Sequence, residues 1–367
     1  MNQTQYESSV YRKDVEGMAR LAEQLRTDAN APQDISLGDV FSTKHEGLKL
    51  EDLYTDLGID PSVDTIQNLY TMPDNAPRWI VAEAIRDAIR LGLRKAPIYP
   101  NIIAGEQSMG TVNQVVPHIN MSDAAPRYVN EAETMTFTNL TYGSKSFKVR
   151  KMGRGVKITD EVKQYVSLDL VAIFLQDFGV KLGYALDSLA IDCLLNGEQA
   201  DGSQSAPVIG VATIGTIVYR DLLKIWIRLS RLGRSASTMI AGESTALDIL
   251  DLAEFKLKTA GTTQATINVK TPIPNSASLF IHGSIPTSQV IILDPRTAMM
   301  KYNARPLLIE SERVVSNQTE ATYASLTTGF ATLMQDARLV LDKSLAFGAA
   351  GFPTYMNVDA MEVETIK

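Results

Sequence analysis

The sequence predicts an α+β fold, on three observations. From Ser167 to Gly197 apolar side chains recur at helical spacing, over a length that calls for one long helix. Short β-prone runs bounded by Gly and Pro lie on both sides of it, interspersed with shorter amphipathic stretches. The 367 residues are 45% hydrophobic and 21% charged, with 23 Gly and 15 Pro, the usage of a chain that buries a core. At roughly 150 residues per domain this length predicts two or three domains, or one body with long excursions.

Residues 1–77 are polar and broken by Gly and Pro, with an amphipathic helix over 15–26 and a second near 48–57. The segment is too sparse to fold alone and is expected to lie on a neighbouring subunit. Asn75-Ala76-Pro77 opens a helix that carries Trp79, Ile80, Ala84, Ile85, Ala88 and Leu91 at helical spacing to about Leu93. Residues 111–116 are β-prone and end at Pro117; 128–129, 135–140 and 146–150 read as strands of an extended ribbon, with Tyr142-Gly143-Ser144 as a turn.

Ser167 as N-cap and Asp169 in the first turn start the long helix. Its stripe runs through Val171, Phe174, Leu175, Phe178, Leu182, Ala185, Leu186, Leu189 and Cys193, and Asn196-Gly197 stops it after about 28 residues and about 42 Å. Leu182 and Leu189 are expected to point into a core. After a Gly/Ser/Pro break at 196–207, helices are expected over 218–232 and 244–258 and strands over 238–241, 278–281, 289–293, 307–316 and 331–341, although 330–335 also fits a helix. There is no internal repeat.

Lys and Arg total 35 against 42 Asp and Glu, so the net charge of -7 supplies no global basic field, which disfavours a dedicated nucleic-acid binder. No apolar run approaches the roughly 18 residues that span a bilayer, and the polar N-terminus lacks a signal-peptide pattern. Cys193 stands alone and His45, His118 and His282 are scattered, so neither a disulfide framework nor a Cys/His metal site is expected. Cys193, on the apolar stripe, is expected to be a small buried hydrophobe, and His118 and His282 to be structural.

Gly153-Arg154-Gly155 and Gly143-Ser144-Lys145-Ser146 fit no phosphate-loop spacing and read as turns. Glu131 with Glu133, and Asp248 with Asp251 and Glu254, read as solvated faces. No Gly-x-Ser-x-Gly elbow presents a nucleophile. No catalytic residue, cofactor or metal is assigned, and the chain is not expected to be an enzyme.

One segment stands out. From Gly143 to Ile158 the charged residues are Lys145, Lys148, Arg150, Lys151, Arg154 and Lys157, with no acid among them. The plain reading is a solvated strand pair. The sharper one is a ribbon that docks on the acidic surface of another copy of the chain, a head-to-tail contact. Nucleic acid is a third reading, weakened by the scarcity of interleaved aromatics, which are Tyr142 and Phe147.

Several passages in succession resemble the major capsid proteins of tailed bacteriophages, whose shell fold is named after the Hong Kong phage and shared with encapsulins. Pro126 to Glu131, then Phe147 to Met152, then Val156 to Glu161 are similar to that family's extended loop returning to its peripheral domain. Leu186 to Gly197 resembles the end of its spine helix. Val290 to Asp294 with Met300-Lys301-Tyr302 resembles the last strand of its axial domain, and Asp336 to Val340 with Leu345-Ala346-Phe347 the strand that closes its peripheral domain.

The resemblance implies an N-terminal arm (1–77), a helix and strand leading into the peripheral domain (78–118), an extended loop (119–157), a peripheral domain with the spine helix (158–210), an axial domain (211–302), return strands of the peripheral domain (303–350) and a C-terminal tail (351–367). It implies a structural protein that assembles into hexamers and pentamers of an icosahedral head around double-stranded DNA, with an encapsulin-like compartment as the alternative. Its partners are then other copies of itself, together with portal, scaffolding and decoration proteins. DNA contact is weak and non-specific, no membrane is involved, and the place is the virion, assembled in the host cytoplasm. Some members cross-link a loop Lys to an Asn; Lys145, Lys148, Asn303 and Asn317 have suitable types, but no residue match fixes them and no catalytic role is carried over. Since the sequence starts at Met1, loss of an N-terminal scaffolding segment is not expected, and a separate scaffolding protein, or none, is.

Overall fold

The computed structural model describes residues 59–71, 77–95, 97–110, 113–118, 131, 141–198, 205–252 and 277–347. The helices expected over 15–26 and 48–57, the strands expected over 128–129 and 135–140, and the docking of the leader up to residue 58 lie outside them. The chain divides into two compact units, Met1–Pro97 with Arg150–Leu186 and Arg305–Thr328, and Ile98–Val149 with Asp187–Ala304 and Gly329–Lys367.

In the first unit, α1 (Ile66–Thr71) buries Ile66 and Leu69. Thr65 bridges Ser167, the Leu168 N–H donates to the Asp64 carbonyl at 3.1 Å, and the Asp169 N–H donates to the Pro61 carbonyl at 3.1 Å. Residues 59–71 therefore pack on their own subunit, where the sequence suggested an arm through to 77. Helix α2 (Pro77–Lys95) starts at its proline as expected and buries Ala84, Ile85, Ala88 and Ile89, while Leu91 turns outward.

Downstream come β4 (Arg150–Thr159), after β1 (Glu106–Ser108), β2 (Asn113–His118) and β3 (Thr141–Lys148); then α3 (Asp160–Tyr165) and the long α4 (Leu168–Asn196). Helix α4 has 29 residues and is about 44 Å long. Gly197, at φ 77°, ends it with its N–H on the Cys193 carbonyl, the left-handed stop that Asn196-Gly197 predicted. Within this unit it buries Val171, Leu175, Phe178, Leu182 and Leu186.

Helices α2 and α4 cross at two glycines. A Cβ on Gly92 would overlap the Gln176 carbonyl, and one on Gly179 would overlap the Ile89 carbonyl and come 2.9 Å from the Leu93 nitrogen. Backbone meets backbone there, so any side chain pushes the helices apart.

Strands β9 (Met299–Val314) and β10 (Thr319–Thr332) are joined through Gln318 at φ 50°. They form a four-stranded sheet of order β1-β9-β10-β4, in which β4 is at an edge among the described residues. Antiparallel pairing of β4 with β10 runs from Thr159↔Thr319 to Arg150↔Thr328. Gly153-Arg154-Gly155 is thus strand rather than turn. The physical reason is cross-strand space: a Cβ on Gly155 would come 2.7 Å from the Tyr323 ring, and one on Gly153 3.0 Å from the Ser325 Cβ.

In the second unit, β2 pairs antiparallel with β3, with an irregular register between Val115 and Pro117. Pro117 sits inside β2 at that irregularity instead of ending it, and Tyr142-Gly143-Ser144 is part of β3 instead of a turn. The basic segment is therefore two strands in two different sheets. Val149 between them and Phe147 near the end of β3 are buried, with the Phe147 ring 5.2 Å from that of Tyr302.

The five-stranded sheet has the order β5-β11-β8-β6-β7, from β5 (Val208–Val211), β6 (Thr238–Ala241), β7 (Ser278–Ile281), β8 (Gln289–Leu293) and β11 (Arg338–Ala346). Ile209, Met239, Val290, Ile292, Leu339 and Leu341 make its buried face, against Leu222, Ile225 and Leu229 of α5 (Tyr219–Arg231) and Ile249 of α6 (Glu243–Leu250). Helix α6 ends at Leu250, before the Lys258 expected; residues 253–258 are outside the described ones. A single turn, α7 (Pro295–Ala298), capped by Asp294, joins β8 to β9.

Residues 331–341, expected as one strand, are split between β10 and β11 by a 3-10 turn at Gln335–Ala337. Asp336 holds that turn with a bidentate grip on the Arg234 guanidinium, at 2.9 and 3.1 Å. Strand β11 pairs with β8 from Arg338↔Leu293 to Asp342↔Gln289. It thus shares a sheet with the strands that the resemblance placed in the axial domain, not with the return strands it was grouped with.

Candidate assembly surface

Of the groups that sequence reading set aside as structural, Cys193 and His282 are buried, and the His118 side chain lies outside the described residues. Cys193 is buried, its thiol donates to the Phe330 carbonyl at 3.3 Å, and burial pushes its pKa up to about 12. At that pKa the thiolate fraction at neutral pH is on the order of 10³ lower than for an exposed thiol. Maleimide labelling of this lone cysteine is expected to be negligible in the native protein and quantitative in denaturant; equal native and denatured rates would mean that the α4 face is open. His282 is buried, accepts the Ser284 N–H on Nδ1 at 3.1 Å, and burial holds its pKa below the usual value. The buried Asp187 accepts backbone N–H groups of Ile98 and Tyr99 at 2.8–2.9 Å; burial raises its pKa although those bonds pull it down.

Among the described residues no group of three or more His, Cys, Asp or Glu converges as a metal site would, and no helix is long and apolar enough to cross a membrane. Asn303, one of the two cross-link candidates, donates to Glu106 at 2.8 Å, and Glu106 also pairs with Lys301 at 2.9 Å. Asn317 lies in the turn between β9 and β10. The side chains of Lys145 and Lys148, the other half of that pairing, lie outside the described residues.

The six cations divide between two strands. Lys145 and Lys148 stand on β3; Arg150, Lys151, Arg154 and Lys157 stand on β4, and all four of these are exposed. None of the four has an ion-pair partner among the described residues. Alternation puts Arg150 and Arg154 on the face of Val156 and buried Ile158, and Lys151 and Lys157 on the other.

Beside β4 lies what the sequence reading missed. The N-terminal half of α4 is apolar on a second side, where Leu170, Ile173 and Phe174 are 45%, 60% and 66% exposed. Phe174, counted as core, is in fact outward. Tyr165 and Val162 of α3 are exposed next to them in sequence, and a groove of about 460 Å³ runs between β4 and α4, floored by Val156, Ile158, Val171 and Phe178 and rimmed by Arg154, Lys157 and Lys181. Among the described residues only Lys181 of these three cations is paired, with Asp177 at 2.6 Å. The signal was present in the sequence as apolar residues at 170 and 173, roughly 120° and 180° around the helix from the centre of the main stripe, with Phe174 at the stripe's edge.

A buried ion pair fixes α3 against the sheet. Lys163, 6% exposed in its side chain, binds Glu320 of β10 at 2.6 Å, with Asp160 at 3.6 Å. Lys163→Met is expected to lower stability by about 2 kcal/mol, less than a fully buried pair would lose because Glu320 keeps some water; an unchanged denaturant midpoint would show that the pair is not needed.

A surface that joins a wide apolar strip to an unpaired basic strand suits association with another macromolecule better than chemistry on a small one. In sequence, a model of the phage capsid protein family matches residues 142–341, from β3 into the first half of β11. No curated protein matches the chain in sequence. Among solved structures, the chain is similar to the virus-like particle from Pyrococcus furiosus, with 12% identity and TM-score 0.47 over 71% of this chain and 98% of that one. It is similar to the Gordonia phage Cozz structure, with 14% identity and TM-score 0.47 over 67% and 86% of the two chains. A third is the holo-SrpI encapsulin complex from Synechococcus elongatus, with 12% identity and TM-score 0.47 over 71% and 92%. The family match takes in more than half of the 367 residues, and the chain belongs to the phage capsid protein family.

Proposed function

We propose that this chain is the major capsid protein of a tailed phage, many copies of which close into an icosahedral shell of hexamers and pentamers around double-stranded DNA. The shell-forming role follows from the family. The observation that carries the reading further is the strip of Leu170, Ile173 and Phe174 with the basic strand β4 beside it, a surface that a solitary subunit leaves in water. A second copy is the natural occupant, because a shell repeats one heterologous contact many times and draws its strength from that repetition.

In this reading the protein is structural and not catalytic. Arg150, Lys151, Arg154 and Lys157, with Lys145 and Lys148, meet carboxylates of an adjacent copy, and the leader up to residue 58 lies on a neighbour. The net charge of -7 suits a container that takes DNA in and releases it, since tight phosphate binding would hinder both. Portal, scaffolding and decoration proteins are the further partners, and the virion, assembled in the host cytoplasm, is the location.

The test is sedimentation and electron microscopy of the purified chain beside Ile173→Asp/Phe174→Asp. Wild type is expected to give closed particles. The variant is expected to keep its circular dichroism, both positions being exposed, while at least about tenfold fewer subunits enter particles. Particles in wild-type yield from the variant would remove this strip from the interface; a wild type that stays monomeric at every concentration would overturn the reading.

A further inference from the structure

Helix α5 carries a row of cations that the assembly surface does not use. Arg220, Lys224, Arg228 and Arg231 fall within about 80° of one another around the helix and span about 17 Å along it. Arg220 and Arg231 are exposed, and Lys224 and Arg228 are half-buried. The acid on the same helix is Asp221, 3.6 Å from Lys224, but it is buried and already accepts the Val218 and Ala212 N–H groups at 3.3 Å. The opposite side of the helix, Leu222, Ile225 and Leu229, is in the core, so the row faces outward.

One aromatic ring sits on this row. The Lys224 ammonium lies 3.9 Å from the centre of the Phe347 ring and the Arg228 guanidinium 5.9 Å from it, two cation–π contacts on one side chain. Phe347 directly follows β11 and is the last residue before 348–367. That segment holds Asp359, Glu362 and Glu364 against the single cation Lys367, with Phe352 and Tyr355 ahead of the acids. The chain thus leaves its sheet at the cationic row, and the twelve residues from Phe347 to Asp359 reach up to about 40 Å, far more than the row requires.

We propose that the cationic face of α5 is the docking site of the chain's own segment 348–367, with Phe347 as the fixed end and Asp359, Glu362 and Glu364 as the counter-charges. The tether is what makes weak exposed pairs sufficient. Each is feeble alone, but a segment anchored at Phe347 meets the row at an effective concentration in the millimolar range. Duplex DNA is the competing occupant by charge. The acids lie closer, on the same chain, and they repel phosphate from the row they cover.

Chymotrypsin reads the docking, since the Tyr355-Met356 bond is cleavable only when the segment lifts, the Phe352-Pro353 bond being resistant because of its proline, and intact mass reports the cut. Lys224→Glu/Arg228→Glu/Arg231→Glu is expected to speed cleavage about tenfold at low salt, and 0.5 M NaCl to erase most of that difference. Adding Asp359→Lys, Glu362→Lys and Glu364→Lys to the same chain is expected to restore slow cleavage by re-pairing the charges in reverse. Equal cleavage of wild type and the Glu variant, or no rescue by the reversed segment, overturns the proposal. So does a labelled DNA duplex that binds wild type and loses affinity in the Glu variant while cleavage stays the same, because the row then serves phosphate.

Discussion

Gly179→Ala is expected to leave little folded subunit in solution. The added methyl has nowhere to go: its neighbours are the Ile89 carbonyl, the Leu93 nitrogen at 2.9 Å and the Gly92 Cα at 3.0 Å, all of them backbone of the crossing helix. A side chain could swing aside, but helix backbone cannot, so α2 and α4 must separate and lose contact along their whole crossing. Overpacking of a core typically costs about 1–3 kcal/mol, and a rigid backbone clash belongs at or beyond the top of that range. Alanine returns only about 1 kcal/mol through better helix propensity. Gly92→Ala, which meets the Gln176 carbonyl, is expected to behave alike, and the pair together to lose less than the sum, because one separation relieves both. Gly105→Ala is the control: nothing lies within 4 Å of its Cβ, and a change within about 0.5 kcal/mol is expected. Denaturant midpoints and the soluble fraction measure all four proteins, and a Gly179→Ala chain as stable as wild type would mean that the helices do not meet at this distance.

That crossing shows where a sequence stops being readable. Helix α4, its Gly197 stop, α5, and strands β6, β7 and β8 were legible, because each is a periodic or β-branched run with its boundary residues beside it. Gly92 and Gly179 announce nothing, since their reason is each other, far apart in the chain. Gly153 and Gly155 misled for the same cause. Locally two glycines around an arginine look like a turn, and only Tyr323 and Ser325 across the ladder make them strand residues. Strand β10 was missed until its end because its threonines and alanines carry no apolar alternation, although Ala321, Thr322, Ala324 and Thr328 are all buried.

The candidate surface was half legible. Its cations stood out because no acid interrupts them from Gly143 to Ile158, but the sequence could not tell that Lys148 ends one sheet's strand and Arg150 begins another's. Its apolar half was hidden by the rule that finds cores: Phe174 fits the helical stripe as well as Phe178 does, yet one is 66% exposed and the other 6%. Periodicity reports that a face is apolar, not whether its own chain or another copy covers it.

Reversing the charge of β4 separates these two covers. Arg150→Glu, Lys151→Glu, Arg154→Glu and Lys157→Glu together are expected to leave the subunit folded, because all four side chains are exposed and none has an ion-pair partner among the described residues. If carboxylates of a neighbouring copy face these cations, each reversed pair exchanges an attraction of about 0.2–1 kcal/mol for a repulsion of similar size, so one contact shifts by only a few kcal/mol. Closure multiplies that shift, since every subunit makes the contact and a shell requires nearly all of them at once. Particles are therefore expected to disappear from the sedimentation profile at low salt while circular dichroism stays that of wild type. Partial recovery is expected near 1 M salt, where the screening length falls to about 3 Å. Unchanged particles would leave these cations a different task. At the open edge of a sheet they would shield the unpaired N–H and C=O groups of β4 from strand-to-strand aggregation, and the variant would then betray itself by precipitating rather than by failing to close.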